Sequence, residues 1–277
     1  VILVVGDVMR DVIVTPLGAP APGTDQRARI ARRFGGSGAN IACWLGHIGV
    51  PTRFAGRVAA ADVAEHVSAF AAHHVDARLA ADPRLETGSV VAVLGAAGER
   101  GFYTDRGANL ALGEADLGDA LLAGVDALHV SGHVFFEAGP RAAARRLMAV
   151  AAARGVSVSV DAGSAGWLAE AAGRFPGWTG ASLCFANAAE AALLGDAFPT
   201  LVVTRGPEGA EVWSGGAARR VPARVVEVVD GTGAGDAFTA GYLAATLRGA
   251  TPAEGLAEGV VWASVCLRLA GGRPLDA

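Results

Sequence analysis

No lysine occurs in the 277 residues, so all 23 basic residues are arginine. A P-loop lysine, a Schiff-base lysine and a Ser-Lys dyad are therefore excluded, and any cationic phosphate clamp must be arginine. Cysteine is scarce: Cys43, Cys184 and Cys266 lie far apart, each in an apolar run. That pattern excludes a disulfide framework and a thiolate metal site, and predicts buried free thiols in a reducing cytoplasm. His73, His74, His129 and His133 have no metal-ligand spacing either. No charge-free apolar run reaches the roughly 18 residues of a membrane span. Basic charge is in deficit, with a net charge of −4, which argues against general nucleic-acid binding.

What is present is hydrophobic content of 52% with 39 glycines, enough to bury a large core in one α/β domain covering 1–277. Val1 to Val5 lacks a basic leader and a cleavage site, and reads as a buried first strand rather than a signal-peptide core. Asp11–Pro16 and Arg27–Phe34 read as strands around a Pro/Gly-rich loop, and Ser89–Leu94 with Arg100–Thr104 as a hairpin. Ser37 caps a helix to about His47, and Asp62–His74 reads as another helix. Beyond the hairpin, short apolar strands (127–130, 156–160, 183–185, 201–204) alternate with helices (140–154, 165–172, 188–194). Such alternation predicts a mostly parallel sheet covered on both faces. Short strands at 210–214 and 218–221 follow, then a strand at Arg224–Val229 and helices from Ala237 and Pro252. The regions of about 10–34 and 88–104 lack crossover helices and are expected to form a small separate sheet.

The run Asp230-Gly231-Thr232-Gly233-Ala234-Gly235-Asp236-Ala237-Phe238 is the most informative stretch. It places a glycine-rich turn between an expected strand and a helix N-terminus. Backbone N–H groups of Gly233, Ala234, Gly235 and Asp236, with the helix dipole, suit an anion. Asp236 would repel a resting phosphate, but it suits a general base that takes the proton of a hydroxyl attacking that phosphate. A plain helix-capping acid is the alternative, although capping alone does not call for so many glycines.

This run resembles the C-terminal signature of the PfkB/ribokinase family of carbohydrate kinases. Gly35-Gly36-Ser37-Gly38-Ala39-Asn40 resembles the family's N-terminal signature, Asn187-Ala188-Ala189-Glu190 its Asn-x-x-Glu motif, and Thr204-Arg205-Gly206-Pro207-Glu208-Gly209 its nucleotide loop. Motifs in this order cover essentially the whole chain. The resemblance implies a three-layer α/β/α ribokinase-like fold, with the small sheet as a β lid over the substrate that in many members also makes a homodimer.

It also implies ATP and Mg²⁺ as cofactors, and roles for individual residues. Asp236 is the base, with Gly233, Ala234 and Gly235 around the transferring phosphoryl group. Asn187 and Glu190 organise Mg²⁺ and the triphosphate, Glu190 through water, and Thr204, Gly206, Gly209 and Thr232 belong to the nucleotide side. Helix-cap and first-turn readings of Asn187 and Glu190 stand beside these. Carbonyls of Asp230 and Thr232 match ligands of a monovalent cation such as K⁺. On the acceptor side, Asp11, Gly35, Gly36 and Asn40 match substrate-binding positions. Arg106 matches a place where kinases of sugar acids meet a carboxylate, with pairing to Asp105 or another acid as the alternative. His133 is a candidate polar lining residue.

Two departures point away from ribose itself. Ser37 stands where typical ribokinases carry lysine, and Ser131-Gly132-His133 replaces a stretch with glutamate. The expected activity is ATP-dependent phosphorylation of a hydroxymethyl group on a small sugar or sugar acid. An adenosine-type nucleoside kinase is the alternative in the same chemistry, with Phe102, Tyr103, Phe135 and Phe136 as the available platform. A non-catalytic sugar or nucleotide sensor is the alternative of another class. A dinucleotide oxidoreductase is disfavoured, because Asp236 occupies the place of its last glycine.

Overall fold

The computed structural model describes residues 1–18, 23–94, 100–171 and 180–275. In chain order the elements are β1 (Ile2–Val5), β2 (Met9–Pro16), β3 (Ala28–Gly35), α1 (Ser37–Ile48), β4 (Thr52–Ala59), α2 (Val63–Ala71) and β5 (Val75–Asp82). Then come β6 (Thr87–Leu94), β7 (Arg100–Gly107), β8 (Ala127–Val130), α3 (Ala138–Ala153), β9 (Ser157–Asp161) and α4 (Ala165–Glu170). The chain closes with β10 (Leu183–Asn187), α5 (Ala188–Leu194), β11 (Thr200–Thr204), β12 (Ala210–Ser214), β13 (Ala217–Val221), α6 (Ala234–Leu247) and α7 (Pro252–Cys266).

Nine strands form one sheet in the order β13-β12-β11-β10-β9-β8-β1-β4-β5. Neighbours from β11 to β5 are parallel, whereas β12 and β13 run antiparallel at the edge. The strand β1 shows why both faces are covered. Ile2 and Val4 enter a core with α1, α2, α6 and α7, while Leu3 and Val5 enter a second core with α3. Every side chain of such a strand is buried, so its sequence is continuously apolar rather than alternating. This is a three-layer α/β/α fold. The three cysteines are buried and form no disulfide. Among the described residues, no helix is long and apolar enough to cross a membrane.

A second sheet, β3-β2-β6-β7, stands beside the body. Its middle pair is parallel, with Asp11 opposite Val90, and so joins chain segments remote in sequence. The main differences from the sequence reading lie at the edges of the nine-stranded sheet. Val75–Asp82, unassigned by pattern, is the outer strand β5, formed by parallel pairing with β4. The helix expected over Asp62–His74 is a short 3₁₀ turn followed by α2, ending at Ala71. Arg224–Val229 is not a strand: it has no sheet partner, and Val225 is fully exposed.

Candidate active site

Strands β9, β10 and β11 end on one side of the sheet, where open α/β folds bind ligands. The N-terminus of α6 faces the same place. Between them lies a cavity of about 170 Å³ lined by Asp161, Asn187, Glu190, Thr204, Gly235 and Asp236, among others. Asn187 and Thr204 sit opposite each other across β10 and β11.

Helix α6 begins after Gly233, whose φ is +75°. A side chain there would be strained, and its Cβ would come within 2.4 Å of Gly272 Cα. The turn therefore needs glycine both for its backbone and for the close approach of the C-terminal run. The helical ladder begins with the Ala237 N–H donating to Gly233 O at 2.9 Å. The Gly235 and Asp236 N–H groups precede it in the first turn, where helix donors lack intrahelical partners. A Cβ on Gly235 would meet nothing within 4 Å, and Gly235 and Asp236 both line the cavity.

Asp236 is held by two donors from α1. Ser37 Oγ donates to its Oδ1 at 2.8 Å, and Asn40 Nδ2 donates to its Oδ2 at 2.9 Å. Burial pushes its carboxyl up to about 7; these two hydrogen bonds oppose the shift, and the charges of Asp161 and Asp11 add to it. A carboxylate titrating near neutrality is matched to proton abstraction. Ser37 is therefore not the cap of α1. The N-cap is Gly36, and the Ser37 hydroxyl is committed to Asp236 instead.

Asn187 and Glu190 form a capping box at the start of α5. Asn187 Oδ1 accepts from Glu190 N–H at 2.9 Å, and Glu190 Oε2 accepts from Asn187 N–H at 2.8 Å. Burial raises the Glu190 carboxyl, the Asn187 N–H opposes this, and the Asp161 charge raises it further. Asp161 went unnoticed in the sequence, although it ends a strand on the ligand side. Burial raises its carboxyl too, but the His129 hydrogen bond, the histidine charges and the Gly132 N–H at 2.9 Å hold it below the usual range. Buried Glu190 and part-buried Asp161 face one cavity, where their charges repel unless a cation joins them. Their hard oxygens fit Mg²⁺, which binds through few carboxylates and keeps waters. Among the described residues there is no cluster of three or more acidic, histidine or cysteine side chains that would hold a metal unaided.

The other expected residues fall around this centre. Gly206 and Gly209 bracket a 3₁₀ turn after β11, closed by the Arg205 N–H on Gly209 O, and neither lines the 170 Å³ cavity. Asp230 Oδ1 accepts from Thr232 N–H and Oγ1, Asp230 Oδ2 accepts from Gly271 N–H, and Thr232 O accepts from the Cys266 thiol. Asp11 on β2 lies against Gly35, where any Cβ would come within 2.3 Å of its carboxyl. Burial raises Asp11 to about 6, with Arg273 opposing. Gly36 packs on the Asp7 carbonyl.

Arg106 is buried and pairs with Asp7, not Asp105, through Nε at 3.0 Å and Nη2 at 2.8 Å. Its guanidinium lies 5.5 Å from the ring centroid of Trp167, which also meets His133 at 5.3 Å and Phe136 at 5.0 Å. Trp167 and Arg273 were not singled out in the sequence. Their partners lie far away in the chain, so no local pattern marks them.

Fold and cavity together define a class: a ribokinase-like α/β protein with a small second sheet, carrying a carboxylate in the first turn of a helix that faces a cavity. The chain belongs to the pfkB family of carbohydrate kinases, whose model matches residues 1–276. Among curated proteins it is similar to the 1-phosphofructokinase of Haloferax volcanii, 40% identical over 93 residues. That stretch is 33% of this chain and only 30% of the relative. Among solved structures it resembles the adenosine kinase of Sinorhizobium meliloti, with a TM-score of 0.87, 23% identity, and coverage of 99% of this chain and 95% of that one. It also resembles an E. coli ribokinase II candidate solved with ATP and Mg²⁺, with a TM-score of 0.85, 20% identity, and coverage of 98% and 94%. At these identities the likeness speaks for the fold.

Proposed function

We propose that the protein transfers the γ-phosphoryl group of ATP to a hydroxymethyl group of a small carbohydrate, a sugar or sugar acid. The observation that carries this is the Asp236 carboxylate, fixed by Ser37 and Asn40 beside the open N–H groups of α6. The acceptor hydroxyl gives its proton to Asp236 as its oxygen bonds phosphorus. The bond from phosphorus to the β-phosphate oxygen breaks, and ADP leaves. Donors at Gly233 to Asp236 stabilise the transferring group, while Asp11, Gly35, Gly36 and Asn40 orient the acceptor. Glu190, Asp161 and Asn187 would hold Mg²⁺ and the triphosphate, with Thr204, Gly206, Gly209 and Thr232 on the nucleotide side. Bound there, Mg²⁺ supplies charge neutralisation on the phosphates. A monovalent cation at the Asp230–Thr232 turn would share the Thr232 carbonyl with Cys266. The small sheet serves as a lid that excludes water, and the exposed Ile30, Phe102 and Tyr103 on it support a homodimer through that surface. The free cysteines accord with a reducing cytoplasm.

The test is ADP release with Mg²⁺-ATP against pooled pentoses, hexoses, sugar acids and nucleosides, with Asp236→Asn as control. A substrate-dependent signal that falls by orders of magnitude in the variant is expected. Silence in every pool with ATP still bound would favour a sensor. The Trp167, Phe136 and His133 cluster keeps a nucleoside acceptor as the second reading, since it offers a stacking platform. Competition between adenosine and the responding sugar separates the two.

A further inference from the structure

Behind the reaction centre lies a second concavity of about 650 Å³, larger than the 170 Å³ reaction cavity. Its walls come from the edge strand β3, helix α2 and the run Ala270–Leu275. Arg32, Arg33 and Arg273 line it, and the one carboxylate among its lining residues, Glu65, is engaged by Arg10. Several other guanidinium groups meet acids: Arg57 holds Asp82 and Asp116, Arg106 holds Asp7, and Arg205 and Arg220 share Glu211. The exposed side chains of Arg32 and Arg33 have no hydrogen bond or ion pair among the described residues. Arg33 is placed by its stem, whose Cδ would lie 2.9 Å from a Cβ on Gly271.

The floor of this concavity is the back of the catalytic apparatus. Arg273 is only 8% exposed. It lies between Phe34 and Phe70, its guanidinium carbon 5.6 and 5.1 Å from their centroids. Its Nη2 donates to Gly35 O at 3.0 Å, its Nε donates to Asn40 Oδ1 at 3.3 Å, and its Nη1 has no partner among the described residues. Asn40 in turn holds Asp236. Gly272 packs against both Gly233 and Asn40, and its carbonyl accepts from Trp44 Nε1 at 2.9 Å. Three arginines thus line one concavity with like charge, and an anion bound there would offset that charge. Their planar forks match phosphate and carboxylate oxygens alike.

We propose that this concavity is an effector site for a small anion bearing phosphate or carboxylate groups, acting on phosphoryl transfer through Gly272 and Arg273. An occupant draws on the charge of Arg273, loosens its hold on Asn40 and weakens its field at Asp11. The effect on turnover rests on the kinase reading; the binding site does not.

The experiment is calorimetric titration with pyrophosphate or citrate as the two probes. The protein is first saturated with Mg²⁺ and a non-hydrolysable ATP analogue, so that the phosphate site at α6 is filled. The wild type is expected to bind a single equivalent of at least one probe. The Arg32→Ala/Arg33→Ala variant should bind it at least about tenfold more weakly, with affinity for the ATP analogue unchanged. Equal binding by both proteins, or no binding of either probe, overturns the site. If the analogue itself fails to bind, the kinase reading fails, while the comparison of wild type and variant still reads the concavity. With a responding acceptor, the probe should change the acceptor KM in the wild type and not in the double variant; no change in either overturns the coupling.

Discussion

Burial raises the Asp236 carboxyl from an ordinary 3.8 to about 7, against two hydrogen bonds that favour its charged form. The sign of the resulting stability effect follows from linkage. For an acid with a raised folded-state pKa, stability is full below the unfolded value and is lost as pH rises through the folded one. Ionising Asp236 therefore costs stability between about pH 4 and pH 7. Asp236→Asn should be more stable than wild type at pH 8 by on the order of 1–3 kcal/mol, with the difference vanishing near pH 4. Urea denaturation at the two pH values measures this, and equal stability at pH 8 would show that burial of the charge is not the cause of the shift. Turnover runs the opposite way, since a base must be deprotonated: the wild-type rate should fall as pH drops below about 7. The aspartate itself was legible because glycines cluster before it. Its environment was not, because Ser37 lies 199 positions away from it, and Arg273 lies 233 positions from the Asn40 it orients.

At the scale of elements, the helices of the body were legible from apolar runs bounded by caps, while strands without strong local signals were not. Arg224–Val229 is rich in β-branched residues, yet it follows the edge strand β13 and finds no ladder; its end is tied instead by the Val229 and Asp230 N–H groups to Leu267 O. Propensity describes a fit to a half-buried pleated surface and creates no partner. Val75–Asp82 is the converse case, a mixed sequence drawn into the sheet by its partner β4. Two capping boxes separate scaffold from site. Thr251 and Glu254 cap α7 at the surface, and Asn187 and Glu190 cap α5 at the 170 Å³ cavity. Thr251→Ala should lower stability by about 1 kcal/mol and leave Mg²⁺-ATP binding unchanged. Asn187→Ala should cost a similar amount and also weaken Mg²⁺-ATP binding. Thermal denaturation with and without nucleotide checks both. Identical nucleotide-induced shifts in the two variants would reduce Asn187 to a cap.

Over the whole molecule, the lid was legible as two regions lacking crossover helices, but not the way it is fastened. Two arginines fasten it. Arg10 on β2 reaches Asp62 and Glu65 at the outer helix, and Arg106 on β7 reaches Asp7 after β1. The second pair is buried, so its parts are unequal to its whole. Removing one member leaves an uncompensated buried charge, whereas removing both relieves it. Arg106→Met alone should destabilise by about 3–5 kcal/mol, and Asp7→Asn with Arg106→Met should recover most of that loss. The same cycle decides what the pair is for. If Arg106 only clamps the lid, the double variant recovers acceptor KM along with stability. If Arg106 also meets an anionic group on the acceptor, as the sugar-acid reading holds, stability returns while KM stays raised. Its third nitrogen, Nη1, has no partner among the described residues, so a sugar-acid acceptor predicts the second pattern, and steady-state kinetics on the folded double variant distinguishes the two.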